Sequence, residues 1–267
     1  YEGNGGLAIG NVIGSNIANI CLILGTAAVI CPIQVRLGVV RKEVVIMILT
    51  CIAGALAMLG GETDRLTGAL LVLGLFAFVI RAYIQGKRAG PDEMSELARA
   101  AKELDDELDV PDKSNLVLSG VFVLVGLAML YFGSEWLVSG SVALAAMLGV
   151  SDAVIVLSLV AFGTSVPELS LSVIAALRKQ PDIAIGNILG SNIFNILCVL
   201  GLTALLAPSP LPVPEEVWTR DIWVMLGVSL ACLPLLGRIR RIVRWEGVLL
   251  LGLYVGYMAA LFLTNRG

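Results

Sequence analysis

Two segments that repeat each other decide the fold of this chain: GNVIGSNIANICLILG at residues 10–25 and GNILGSNIFNILCVLG at residues 186–201, identical at ten of sixteen positions. Both are apolar, yet each keeps one serine and three asparagines at matching positions: Asn11, Ser15, Asn16 and Asn19 in the first, and Asn187, Ser191, Asn192 and Asn195 in the second. Polar groups inside an apolar segment are costly unless they have partners. Keeping them twice indicates a function that needs both copies.

The composition is that of an integral membrane protein. Hydrophobic residues make up 58% of the 267 residues and charged residues 15%, and the mean hydropathy is +0.92. The net charge of -3 and the absence of a basic run mixed with aromatic residues argue against a nucleic-acid partner. The chain has no histidine, and its five cysteines lack CxxC spacing. An ion site must therefore use oxygen ligands, and we expect no cofactor.

Eight segments are apolar over about the 20 residues that a membrane-spanning helix needs. They lie at residues 10–30, 43–60, 66–86, 116–148, 151–176, 182–206, 219–236 and 244–263. When the loops are assigned alternately to the two sides of the membrane, one side has fifteen Lys and Arg residues and the other three. The positive-inside rule therefore predicts that residues 87–115 are cytoplasmic and that the C-terminus is outside.

The two repeated segments belong to the first and sixth of these spans, so they cross the membrane in opposite directions. This is typical of inverted-topology repeats, which place a substrate site between the two halves at the membrane midplane. We expect residues 1–86 to be the remainder of the first inverted repeat and residues 116–267 to be the second. Residues 87–115 then form a cytoplasmic linker with an amphipathic helix, although a regulatory cation site in its acidic run is an alternative. The repeat offset of 176 residues also predicts a missing N-terminal part.

A carboxylate inside an apolar span identifies the candidate site. Glu168 lies within AFGTSVPELSLS at residues 161–172, and an ionisable residue at that depth indicates function. Pro167 donates no N–H, so we expect it to disturb the preceding helical turn and to free a backbone carbonyl for a cation. A structural ion pair is the alternative for Glu168, and helix packing is the alternative for the repeated asparagines. Glu135 and Asp152 are weaker candidates that we expect at the membrane interface.

The segment at residues 161–201 resembles the second alpha-repeat of the sodium/calcium exchangers, which are members of the calcium/cation antiporter superfamily. LAIGNVIGSNIANICLILG at residues 7–25 is similar to the latter half of their first alpha-repeat. The resemblance implies an all-α integral membrane protein with inverted 5+5 helix repeats. It further implies about 10 transmembrane helices in the parent protein and about 8 in this chain.

The resemblance also implies a set of metal ligands. Thr164, Ser165 and Glu168 match the family's hydroxyl and carboxylate ligands, and Ala161 matches a backbone carbonyl ligand. The remaining matches come from the two repeated segments: Ser191 and Asn195 in the second, and Ser15 and Asn19 in the first. Several sodium/calcium exchangers have Asp at the position of Asn195, which affects ion stoichiometry and selectivity. The partner carboxylate of Glu168 is expected before residue 1.

The predicted function is secondary antiport of Ca²⁺ for Na⁺ by alternating access at a midplane oxygen site. Antiport coupled to K⁺ or H⁺, and a cation channel, are the alternatives. The expected partners are Ca²⁺, Na⁺ and the lipid bilayer of the plasma (inner) membrane. We expect the protein to work as a monomer and not to be an enzyme.

Overall fold

The computed structural model describes residues 5–34, 37–88, 165–178, 180–237 and 241–264, together with scattered helical positions between 120 and 140. In chain order, the elements are α1 (Gly5–Ala18), the π-helix π1 (Asn19–Leu24), α2 (Gly25–Ile30), β1 (Ile33–Gln34), α3 (Leu37–Ala57), β2 (Glu62–Thr63), α4 (Arg65–Arg88), α5 (Val166–Leu177), α6 (Pro181–Phe194), π2 (Asn195–Leu200), α7 (Gly201–Leu206), β3 (Leu211–Pro212), π3 (Val217–Asp221), α8 (Ile222–Gly237), β4 (Arg241–Ile242) and α9 (Arg244–Thr264).

The repeated segments form two long helices of the same construction. One helix comprises α1, π1 and α2, and the other comprises α6, π2 and α7. Each changes to π-helical geometry at its last asparagine, Asn19 or Asn195, and returns to α-helix at a glycine, Gly25 or Gly201. π-helical turns within α-helices are rare and occur frequently at functional sites. The same irregularity thus lies at matching positions of the two repeated helices, and π3, before α8, is the other π-helix among the described residues.

The elements around the two repeated helices pack in a reciprocal way. Helix α2 packs on α9, and its counterpart α7 packs on α4. Strand β1, which follows α2, pairs antiparallel with β4, while β3, which follows α7, pairs antiparallel with β2. Helices α3 and α8 pack against each other. The N-terminal and C-terminal parts of the chain therefore pack into each other, with the repeated helices at the centre.

Helix α4 is fixed at its start by local and tertiary hydrogen bonds. The backbone N–H of Thr67 donates to Asp64 Oδ1 at 2.8 Å, which caps the first turn. Arg65 Nε donates to the carbonyl of Ala207 at 2.9 Å, directly after the end of α7. This arginine satisfies a carbonyl that the end of α7 leaves without a helical partner.

Four helices in the described part are long and apolar enough to cross a membrane: Ala8–Ile30, Arg65–Lys87, Pro181–Leu206 and Arg244–Leu263. They confirm four of the predicted spans. The first is central, with 72% of its apolar window buried, whereas only 11% of the α4 window is buried. Large apolar side chains therefore face outward from α4, including Leu66, Leu70, Leu73 and Phe76. The chain is an all-helical integral membrane protein whose outer helices present hydrocarbon to lipid.

Two other predicted spans are helical with different boundaries. Helix α3 begins at Leu37, before the predicted start at residue 43. Its first turns include the exposed Arg41 and Lys42, which the apolar pattern excluded although charged residues can belong to a helix. The span predicted at 219–236 corresponds to π3 and α8 together.

The span predicted at 151–176 is described only from residue 165 and is helical from Val166. Pro167 therefore lies in the first turn of α5, where its missing N–H breaks no bond within that helix. The predicted release of a backbone carbonyl concerns the turn before residue 165, which lies outside the described residues. The linker at 87–115 lies outside the described residues apart from its first two positions, and the span at 116–148 is described only at scattered positions.

Candidate cation site

Glu168 faces the repeated helix of the second copy across a cavity of about 320 Å³. The carboxylate lies in the first turn of α5, where the helix dipole stabilises negative charge. The cavity is lined by Glu168, Gly186, Asn187, Gly190, Ser191, Phe194 and Asn195. All but Glu168 lie on one face of a single helix, because they recur at intervals of three or four residues. One carboxylate and several polar side chains thus share one space.

Gly186 and Gly190, the two glycines that line the cavity, do not form a close contact with another described helix. No described atom lies within 4 Å of a Cβ built on Gly186 or Gly190. Their missing side chains leave room in the cavity wall instead. Among the described residues, this part of the repeated segment lines a cavity and does not form a close helix crossing.

Two buried oxygen atoms of predicted ligands have no hydrogen-bond partner among the described residues. They are Glu168 Oε2 and Asn19 Oδ1. Buried polar atoms in proteins are nearly always paired, and leaving one unpaired is costly. A cation is the natural partner for oxygen atoms of this kind, since it requires no hydrogen.

Asn187 connects the carboxylate's helix to the repeated helix. Its Nδ2 donates to the backbone carbonyl of Glu168 at 3.2 Å and to Ser172 Oγ at 3.1 Å. Ser172 is fully buried on α5. This side chain therefore holds the first turn of α5, and with it Glu168, in register with α6.

The asparagines of the two copies form a reciprocal pair of hydrogen bonds. Asn19 Nδ2 donates to Asn192 Oδ1 at 2.9 Å, and Asn195 Nδ2 donates to Asn16 Oδ1 at 3.0 Å. An amide that donates through its nitrogen turns its carbonyl oxygen the other way. The oxygens of Asn19 and Asn195 are thus the atoms left for a further ligand.

The structure brings three of the predicted ligands onto one cavity and places others nearby. Glu168, Ser191 and Asn195 line the cavity. Ser165 immediately precedes α5 and is buried, and Ser15 and Asn19 are buried in the first repeated helix; none of these three lines the cavity. Ala161 and Thr164 lie outside the described residues, as does Asp152. Glu135 is exposed, whereas Glu168 is half-buried.

Sequence reasoning gave no role to Asn16 and Asn192, which are fully buried and accept the bonds described above. The sequence does contain a sign of their importance: an asparagine directly follows the serine in both repeated segments, as Asn16 after Ser15 and Asn192 after Ser191. That pattern marked them as important, but their partners are visible only in the tertiary structure.

Comparison with known proteins indicates the family of this chain. The family model described as sodium/calcium exchanger protein matches residues 1–84 and 118–263. The sodium/calcium exchanger MaX1 of Methanosarcina acetivorans is 31% identical, with 96% of this chain and 80% of the relative covered. The inner membrane protein YrbG of Escherichia coli is 33% identical, with 96% of this chain and 77% of the relative covered.

The fold also matches that of a solved exchanger. The structure of the sodium-calcium exchanger NCX_Mj soaked with zero Na⁺ and Ca²⁺ superimposes with a TM-score of 0.75 at 31% identity, over 97% of this chain and 78% of that one. The family is one of transporters, not enzymes. This chain therefore belongs to the sodium/calcium exchanger family and is a membrane cation antiporter.

Proposed function

We infer that this protein exchanges Ca²⁺ for Na⁺, with both cations competing for one site that faces each side of the membrane in turn. The observation that carries this proposal is that two buried oxygens, Glu168 Oε2 and Asn19 Oδ1, have no hydrogen-bond partner in the part of the chain that the structure describes. Glu168 belongs to the segment with the predicted carboxylate ligand, and Asn19 belongs to the first repeated segment, where amide and hydroxyl ligands are predicted. The similarity to MaX1 and NCX_Mj, which are both named as sodium/calcium exchangers, supports the choice of ions.

The proposed ligand set is Ala161, Thr164, Ser165, Glu168, Ser191, Asn195, Ser15 and Asn19. All of these residues supply oxygen, as backbone carbonyl, hydroxyl, amide or carboxylate. Ca²⁺ takes six to eight oxygen ligands in proteins and accepts irregular geometry. Glu168 supplies negative charge, and the neutral oxygens complete the coordination shell. A site of this composition suits Na⁺ as well, which is what competition between the two ions requires.

The proposed architecture is that of inverted 5+5 helix repeats, of which this chain carries about eight helices. Residues 1–86 belong to the first repeat, residues 87–115 form the cytoplasmic linker, and residues 116–267 form the second repeat. The reciprocal pairing of β1 with β4 and of β2 with β3 supports two equivalent halves. We place the protein in the plasma (inner) membrane as a monomer, with its C-terminus outside. The inner-membrane relative YrbG supports that location.

The test is calcium uptake into proteoliposomes that contain the purified protein and an internal sodium load. An outward sodium gradient should drive uptake, and replacing internal Na⁺ with choline should stop it. Adding K⁺ or imposing a pH gradient in the absence of Na⁺ tests the other coupling ions. Uptake that runs down the calcium gradient without any counter-ion would contradict antiport and indicate a channel.

A further inference from the structure

We propose that Asn16 and Asn192 are positioning residues that orient the amides of Asn195 and Asn19 and that require a hydrogen-bond donor at those two positions. This inference rests on the proposed function, because it concerns the same cation site. Its basis is a chain of contacts that determines which way each amide points.

The orientation of the Asn16 amide follows from the groups around its nitrogen. Asn16 Nδ2 lies 3.4 Å from the backbone carbonyl of Asn192 and 3.8 Å from Met225 Sδ. Both groups accept hydrogen bonds and neither can donate one. A flipped amide would place its oxygen against two acceptors, and Asn16 is fully buried, so solvent does not compensate. Asn16 Oδ1 must therefore point toward Asn195.

The second copy repeats this arrangement. Asn192 Nδ2 donates to Met47 Sδ at 3.4 Å, and Asn192 Oδ1 accepts from Asn19. Met47 lies on α3 and Met225 on α8, the two helices that pack against each other. A methionine sulfur thus accepts from the amide nitrogen in both copies, and at Asn16 a backbone carbonyl does so as well.

The consequence is a restriction on the residues at positions 19 and 195. Each faces a buried carbonyl oxygen, so it must donate a hydrogen bond, and an asparagine does so while turning its own oxygen away. In Asn19 this oxygen, Oδ1, is buried and has no hydrogen-bond partner among the described residues. In the second repeated helix, Asn195 lines the cavity. An ionised carboxylate at either position has no hydrogen to donate, whereas an amide or a protonated carboxyl group has one. Asn16 and Asn192 thereby select a neutral, donating ligand for the cation, which is an amide in this chain.

Sodium-driven calcium uptake by the full chain tests this through a double-mutant cycle. We expect Asn16→Ala to raise the KM for calcium about tenfold with little change in the maximal rate, as loss of a residue that orients a metal ligand typically does. In the Asn195→Ala background the same substitution should raise KM by less than about twofold, since the oxygen it orients is already gone. An equal rise in both backgrounds would overturn the proposal, because it would indicate general packing.

The mirror cycle of Asn192→Ala and Asn19→Ala should behave in the same way. Ser229→Ala is the matched control: Ser229 is fully buried in the same core and donates to Cys51 Sγ at 3.5 Å, apart from the asparagines. Its KM should equal that of the parent.

If Asn16→Ala is not monodisperse on gel filtration, Met47→Leu is used in the mirror cycle, because it removes the sulfur acceptor of Asn192 Nδ2. It should raise KM in the parent background and not beside Asn19→Ala; no rise in either background overturns the proposal. A parent that takes up no calcium contradicts the proposed function instead, and this is seen before any variant is made.

Discussion

Gly247 on α9 crosses Gly25 on α2 with no space for a side chain: a Cβ on Gly247 would lie 2.7 Å from the carbonyl oxygen of Gly25. The other copy has an equivalent crossing, in which a Cβ on Gly68 would lie 2.7 Å from the carbonyl oxygen of Gly201. Small residues let membrane helices approach closely, and the packing gained there replaces the hydrophobic effect that lipid does not supply. These two crossings hold the outer helices α9 and α4 against the repeated helices.

Gly247→Ala should therefore destabilise the protein by roughly 1–3 kcal/mol, because the added methyl group overlaps backbone that cannot move independently. Thermal unfolding in detergent measures the effect. Gly252→Ala on the same helix is the control, since no described atom lies within 4 Å of the methyl group that it would add. Equal losses of stability in the two variants would contradict the close crossing.

Glu168→Gln should abolish calcium transport and leave the protein folded. The substitution removes the charge that the cation needs and changes the volume of the side chain very little. The measurements are sodium-driven calcium uptake and gel filtration of the purified variant. Glu135→Gln, at an exposed position, should transport nearly as well as the parent. Calcium flux near the parent value in Glu168→Gln would remove this residue from the site.

Asn187→Ala should weaken both stability and calcium binding. It leaves the buried Ser172 hydroxyl and the Glu168 carbonyl without their shared donor, at a cost of about 1–3 kcal/mol, and it releases the first turn of α5. Isothermal titration calorimetry with calcium measures the affinity, and thermal unfolding measures the stability. Ser172→Ala keeps the bond to Glu168, so it should lose stability with a smaller change in affinity. The same affinity in both variants and the parent would argue against this role.

At a pH that ionises the new carboxyl group, Asn195→Asp should lower stability in the absence of calcium by roughly 1–3 kcal/mol, since an ionised carboxylate cannot donate to Asn16 Oδ1. Calcium should restore part of the loss by binding the folded state, and thermal unfolding with and without the ion measures both. Asn195→Leu also loses the bond but has no oxygen for calcium, so it should show no comparable recovery. An Asp variant as stable as the parent without calcium would refute the amide requirement.

Three residues that line the candidate cavity were predictable from the sequence, because their signals are local. Glu168 stands out as a carboxylate in an apolar segment, and Ser191 and Asn195 stand out because they repeat Ser15 and Asn19. All three line one cavity. The alternative of small-residue packing at Gly186 and Gly190 could not be judged in this way, because spacing alone does not say whether a neighbouring helix is present.

By itself the sequence determined the membrane class and the repeated helices, and it predicted the kinds of ligand, since hydrophobic length and motif spacing depend on residues close together in the chain. Only the tertiary structure decided which amide bonds to which. Asn19 and Asn192 are 173 residues apart, and Asn16 and Asn195 are 179 apart. Their pairing, the glycine crossings and the direction of each carbonyl oxygen follow from how the two copies pack together, and no local pattern encodes that contact.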